Sequence, residues 1–105
     1  MISFNSKIYV AGHNGLVGSA ILRELKRNGY TNILVADKKK LNLTNQAKVI
    51  NFLKKNKPAF IFLAAAKVGG VYSNKKYKAD YLYENLTIQS NVINGAYLSG
   101  VKNLI

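Results

Sequence analysis

Hydrophobic and polar positions change period several times along this chain, and each change marks an element. Lys7-Ile8-Tyr9-Val10-Ala11 is a short β-rich run that predicts a strand over 7–11. Gly12-His13-Asn14-Gly15-Leu16-Val17-Gly18 follows, and then Val17, Ile21 and Leu25 recur at helical spacing with Ala20 and Leu22 beside them. Gly29 stands where a left-handed residue would end that helix. The opening unit is therefore strand, glycine turn, helix. Residues 32–36 (NILVA) predict a second strand. Thr44 is placed to cap a helix reaching about Asn56, with Ala47, Ile50 and Leu53 on one face, and Pro58 cannot continue it. The unbroken apolar run 59–66 (AFIFLAAA) suits a strand buried on both faces of a parallel sheet. Gly69-Gly70 opens a polar, lysine-rich loop. A long helix is expected over 79–99, with Leu82, Leu86, Ile93 and Tyr97 as its apolar face and Gly100 as its stop. Residues 101–105 predict the start of a fourth strand.

The order β-α-β-α-β-α-β predicts an α/β fold: a doubly wound parallel sheet of Rossmann type with right-handed crossovers, here incomplete. Strand order 3-2-1-4 is the expectation for a nucleotide-binding sheet. No internal repeat, linker or low-complexity tract divides the chain. Residues 1–105 are thus expected to form the N-terminal part of one dinucleotide-binding domain, with catalytic and substrate regions absent from it.

Composition narrows the chemistry. The chain has no cysteine and one histidine, which excludes a thiolate metal site or disulfide framework and argues against a histidine metal cluster. No stretch is long and apolar enough to cross a membrane, and the start does not read as a signal peptide, so a cytoplasmic protein without a membrane partner is expected. Sixteen basic residues against four acidic ones give a net charge of +12. That charge suits nucleic acid, a membrane surface or an anionic small molecule. Fourteen of the sixteen are lysines, however, which fits solvated faces in a lysine-rich composition, and no specific nucleic-acid motif is present.

The strongest chemical pattern is the spacing of Gly12, Gly15 and Gly18 between a strand and a helix. The first glycine permits the tight turn, the second removes a side chain where backbone must approach a pyrophosphate, and the third lets helix pack closely on sheet. The helix N-terminus then offers free N–H groups and a positive dipole end to phosphates. His13 lies inside this turn, with nothing nearby in sequence to make it a catalytic base. Asp37, 19 residues after Gly18, stands where an acid commonly holds the ribose hydroxyls of NAD. Lys38, Lys39 and Lys40 follow at once and suit the 2′-phosphate of NADP instead, so these residues leave both cofactors open.

AGHNGLVGSA (11–20), KLNLT (40–44), AAAKVGG (64–70) and the N-x-x-Y-x-A-D-x-x-Y-x-N pattern over 74–85 together resemble the GDP-L-fucose synthase family. That family is a branch of the extended short-chain dehydrogenase/reductases, within the NAD-dependent epimerase/dehydratases. The resemblance spans essentially the whole chain. It implies an NADP-dependent oxidoreductase, with NAD as the alternative, that epimerises and reduces a GDP-4-keto-6-deoxy-mannose substrate and works as a homodimer. By position it implies that Gly12, His13, Asn14, Gly15, Leu16, Val17 and Gly18 wrap the cofactor pyrophosphate. Lys38 takes the place of a family arginine on the adenosine phosphate. Leu41, Asn42 and Leu43 lie along the adenine, Ala64 and Ala65 lean on the ribose, and residues 67–70 lie toward the nicotinamide and substrate. Asn14 stands where bacterial members often carry arginine.

The family's serine, its Tyr-x-x-x-Lys pair and its epimerising cysteine and histidine follow the fourth strand and are not among these residues. Tyr72 and Lys76 have the Tyr-x-x-x-Lys spacing but follow the third strand, so no catalytic residue is assigned. The 105 residues are expected to be inactive by themselves. The alternative reading is a non-catalytic dinucleotide-binding module.

Overall fold

The apolar run after Lys7 forms strand β1 (Ile8–Ala11), all four of whose residues are buried. The computed structural model describes residues 3–65 and 75–105. Helix α1 (Leu16–Arg27), strand β2 (Ile33–Leu34), helix α2 (Gln46–Asn56), strand β3 (Phe60–Leu63) and helix α3 (Lys75–Ser99) follow in order. Both strand pairings are parallel: Ile8 and Tyr9 face Ile33 and Leu34 on one side, and Ile8 through Ala11 face Phe60 through Leu63 on the other. Residues 101–105 lie beyond β3. They are joined to it by a parallel bridge between Ile61 and Leu104 and by hydrogen bonds from the Ile61 N–H to the Asn103 carbonyl (2.9 Å) and from the Leu63 N–H to the Ile105 carbonyl (2.7 Å).

The strand order corrects the expected 3-2-1-4. It is β2-β1-β3, with residues 101–105 outside β3. The physical reason lies in burial. The apolar run that forms β3 needs neighbours on both edges, and a place outside β2, only two residues long, would strand it at the sheet edge. The chain therefore steps from β1 out to β2 and returns across β1 to β3. The direction of winding reverses between β1 and β3, which places the switch crevice beside the C-terminal ends of those two strands.

Alternation divides the sheet into two faces. Tyr9, Ala11 and Ile61 join Val49 and Leu53 of α2 and Ile88, Val92 and Ala96 of α3 in one buried cluster. Phe62 points to the other face, where it lines an apolar pocket together with Ala20, Ile21 and Leu25 of α1. With α1 as the cover there, Phe60 and Phe62 are half-buried, so full burial of β3 on both faces is not reached.

Helix α3 corrects another expectation. Leu82, Leu86, Ile93 and Tyr97, expected as its buried face, are exposed, whereas Ile88, Val92 and Ala96 are buried. The docked face is the one with small residues, because α3 approaches α2 closely. A Cβ on Gly95 would lie 3.0 Å from Leu53 Cδ1 and 3.3 Å from Val49 Cγ1. The larger side chains would hold the helices apart. α3 also begins at Lys75, earlier than expected, since its first residues carry good helix formers and no Gly or Pro.

At α2 the cap is Asn45, whose side chain accepts the Lys48 N–H at 3.1 Å; Thr44 instead donates its hydroxyl to Asn42 Oδ1 at 2.7 Å. Lys57 closes the helix in the left-handed region before Pro58. Residues 67–70 and Tyr72 lie outside the described residues, as does the Lys76 side chain. No helix among the described residues is long and apolar enough to cross a membrane.

Tyr9 is 1 % exposed, and its ring meets Phe52 at 5.0 Å. Burial pushes its phenol far above the usual tyrosine range. The neutral form is thus favoured by folding, so this contribution to stability is complete below about pH 10 and is lost as pH rises past it. Unfolding free energy should decline by ~1.4 kcal/mol per pH unit more steeply above pH 10 in the native protein than in Tyr9→Phe. Urea titrations of the two proteins at pH 8, 10 and 11 measure this, and equal slopes would remove Tyr9 from the account.

Candidate functional site

The turn after β1 is shaped by backbone collisions that only glycine avoids. Gly12 has φ +85°, and a Cβ there would stand 2.6 Å from the backbone N and Cα of Ala65 at the end of β3. The Ala64 N–H donates to the Ala11 carbonyl at 2.9 Å, which holds the two strand ends side by side. A Cβ on Gly18 would collide with the Gly12 carbonyl oxygen, so α1 can start directly against the turn only with glycine there. Gly15 differs. It is the N-cap of α1, its φ of −78° is open to any residue, and a Cβ there would meet nothing closer than the Gly12 oxygen at 3.5 Å.

The N-terminus of α1 carries no side-chain cap and no acid in its first turn. Its leading N–H groups have no preceding helical carbonyl to bond, which leaves them, with the positive dipole end, for an outside acceptor. An anion is the ligand such a terminus holds best.

The opposite wall comes from residues 36–43. The Asp37 carbonyl accepts the N–H groups of Lys40 (3.0 Å) and Leu41 (2.9 Å), and the Asp37 carboxylate also accepts the Lys40 N–H at 3.1 Å. The carboxylate thus stabilises the turn that presents Lys38, Lys39 and Lys40, all exposed. Leu41 is then buried. Asn42 accepts from the Thr44 N–H (3.1 Å) and hydroxyl (2.7 Å). The buried Asn91 of α3 donates to the Leu43 carbonyl at 2.8 Å and ties this segment to the helix beneath it.

These walls enclose one cleft of about 200 Å³ at the switch between β1 and β3. Of the residues expected to hold a cofactor, Gly12, His13, Asn14, Gly15, Lys38, Leu41, Asn42, Leu43 and Ala65 line it. Gly18 is buried under the turn, and Ala64 stands behind Ala65 in the strand pairing. Leu16 and Val17 are 88 % and 61 % exposed at the start of α1, so their side chains contribute nothing to the cleft wall. Ala36, Asp37, Glu84 and Ile88 complete the lining. The last two were missed by residue patterns. They are an i, i+4 pair on α3, which places both on one helix face, and Glu84 is an acid in a lysine-rich stretch.

The chemistry of this cleft is binding chemistry. Its volume is below the ~300–1,000 Å³ of sites that enclose a whole drug-sized ligand. The lining combines the turn before α1, the apolar side chains of Leu41, Leu43 and Ile88, and Lys38. That combination of surfaces suits an anionic group together with a flat apolar base. No cluster of metal-ligating side chains occurs among the described residues.

The model of the NAD dependent epimerase/dehydratase family matches residues 8–105. The chain belongs to this family. As a member of the NAD-dependent epimerase/dehydratases, it is 52 % identical over 101 residues to GDP-L-fucose synthase 1 of Arabidopsis thaliana, covering 96 % of this chain and 31 % of that protein. It is 38 % identical over 99 residues to the GDP-L-fucose synthase of Escherichia coli strain K12, covering 94 % of this chain and 31 % of that one. Among solved structures, a GDP-mannoheptose C4 reductase of Campylobacter jejuni with NADP bound superposes with a TM-score of 0.92 at 41 % identity, covering 99 % of this chain and 33 % of that one. This family member thus spans about a third of the length of the relatives it matches.

Proposed function

We propose that this chain is the NADP-binding N-terminal part of a GDP-sugar epimerase/reductase of the GDP-L-fucose synthase type, acting on a GDP-4-keto-6-deoxy-mannose substrate. The observation that carries the reading is the meeting of the uncapped α1 terminus and the lysine turn in one cleft at the strand switch. The α1 N–H groups over Gly12, His13, Asn14 and Gly15 bind the pyrophosphate. Gly18 holds the helix against the turn, and Leu16 and Val17 contribute backbone. Leu41, Asn42 and Leu43 pack along the adenine, Ala64 and Ala65 support the ribose, and Lys38 binds the 2′-phosphate. NADPH held there would supply hydride to the carbonyl carbon of a keto sugar. The residues of this chain hold it in place and contribute no acid or base, so the 105 residues alone do not turn over.

The same reading pairs the protein with a second copy. Leu82, Leu86, Ile93 and Tyr97 form an exposed apolar stripe on α3, on the side away from α2. A monomer in sedimentation velocity at micromolar concentration would remove the homodimer from the reading. The cytoplasmic setting and the lack of a membrane partner belong to the same proposal.

Isothermal titration with NADPH and NADH tests the cofactor. NADPH should bind about tenfold more tightly than NADH, the order of one charge-assisted hydrogen bond. Lys38→Ala should abolish that preference while leaving NADH affinity unchanged. Tighter binding of NADH than of NADPH by the native protein would make Asp37 the selecting group, equal affinity would reject selection by Lys38, and no binding of either would reject the cleft as a nucleotide site. NADPH binding without turnover of the keto sugar by the 105 residues supports the reading, and turnover would contradict it.

A further inference from the structure

Seven of the sixteen basic residues lie at the edge of the sheet opposite the cleft. Lys26 and Arg27 lie in the last turn of α1, and Lys54 and Lys55 in the last turn of α2, whose C-cap is Lys57. Lys7 directly precedes β1, and Lys102 lies just before the segment that bridges to β3. Hydrogen bonds join these positions into one rim. Lys7 Nζ donates to the Asn56 carbonyl (3.0 Å), the Ala59 N–H to the Lys7 carbonyl (2.8 Å), Asn103 Nδ2 to the Ala59 carbonyl (3.1 Å) and Asn32 Nδ2 to the Asn5 carbonyl (3.1 Å).

Against these seven cations the rim holds one carboxylate, Glu24, which is paired with Arg27 at 3.2 Å. Of the other acids, Asp37 and Glu84 line the cleft at the far edge, and Asp80 lies near the start of α3. Cations at helix C-termini complement the dipole locally. That explains the residues of α1 and α2 and also Lys7, whose Nζ bonds the last carbonyl of α2, but not Lys102 or the aromatic pair Phe4 and Tyr30. Phe4, 62 % exposed, has its ring 5.1 Å from that of Tyr30 and over the backbone of Gly29. The ring thus rests against Tyr30 and Gly29 and is otherwise open to solvent.

A positive rim with a fixed aromatic ring is the combination that holds single-stranded nucleic acid, the cations tracking the phosphates and the ring stacking a base. We propose that this rim binds single-stranded RNA or DNA without sequence preference, independently of the nucleotide cleft. An anionic membrane is the less suitable partner, since the rim consists of helix ends and strand starts and offers no amphipathic helix face to insert.

The test is fluorescence anisotropy of the purified protein with a labelled 15-mer of uridine at 50 and 200 mM salt. With about six phosphates engaged, affinity should fall about 300-fold between the two. Lys54→Glu, Lys55→Glu and Lys102→Glu together should weaken binding at least tenfold and flatten the salt dependence. All three positions are exposed, and unchanged NADPH titration would confirm that the variant is folded. Phe4→Ala should cost about tenfold at fixed salt with the salt dependence intact, and Phe4→Trp should restore it. Three results would overturn the proposal: salt-independent binding, full competition by NADPH, or rim variants that alter binding to phosphatidylserine vesicles and leave the oligonucleotide unaffected.

Discussion

Gly15→Ala should leave the protein folded and lower its affinity for NADPH at least a hundredfold. The backbone at Gly15 has an ordinary φ, and a methyl group there would touch nothing closer than 3.5 Å. Exchanging glycine for alanine at an N-cap costs on the order of 1 kcal/mol or less. The methyl would stand instead in the cleft, in front of the N–H groups that a pyrophosphate needs. Losing two charge-assisted hydrogen bonds at ~1.5–3 kcal/mol each reduces affinity by roughly two to four orders of magnitude. Gly18→Ala should behave differently, because its methyl collides with the Gly12 carbonyl and neither turn nor helix start can remain in place. Stability and binding should then fall together. Thermal melts with and without NADPH separate the two cases. A Gly15→Ala protein that binds normally, or that melts as early as Gly18→Ala, would show that the turn is merely structural.

Leu53→Ala should be the most destabilising of the simple truncations, by about 2–5 kcal/mol. Leu53 is fully buried where α2 meets α3 and the sheet, and its Cδ1 lies against the bare backbone of Gly95. No side chain on Gly95 can move in to fill the space that truncation opens. Domains of this size are stable by roughly 5–15 kcal/mol, so the loss is a large share of the total. Leu53→Met keeps the volume and should cost less than ~1.5 kcal/mol. Urea titration followed by circular dichroism gives both values. A Leu53→Ala cost no greater than that of Leu53→Met would mean that the α2–α3 contact collapses to fill the gap.

The site was legible in the sequence wherever one local constraint fixed the residue. Gly12 and Gly18 are required by collisions within a single turn, and the pattern of three glycines displays them directly. Leu41, Asn42 and Leu43 were reached through the family motif, and the structure shows how they are held: by the Asp37 turn and by Asn91, which lies 48 residues away from Leu43. Glu84 and Ile88 were not legible. They line the cleft because α3 passes beneath it, and helical periodicity does not say which face a helix turns toward a loop distant in sequence.

Local pattern by itself determined the alternation of strands and helices, the glycine turn with its uncapped helix start, and the parallel character of the sheet. Each of these depends on neighbours within a few residues, through backbone sterics and hydrophobic period. Only the tertiary structure decided the order β2-β1-β3, the buried face of α3 and the gathering of seven cations on one rim. The order followed from β3 needing a neighbour on each edge. The α3 face followed from close approach to α2, which favoured Gly95 and Ala96 over the larger Leu86 and Ile93. The rim followed because parallel strands joined by crossovers start at one edge of the sheet, where the intervening helices also end. Contacts between distant segments set all three, and the energies of such contacts are not written in any local stretch of the chain.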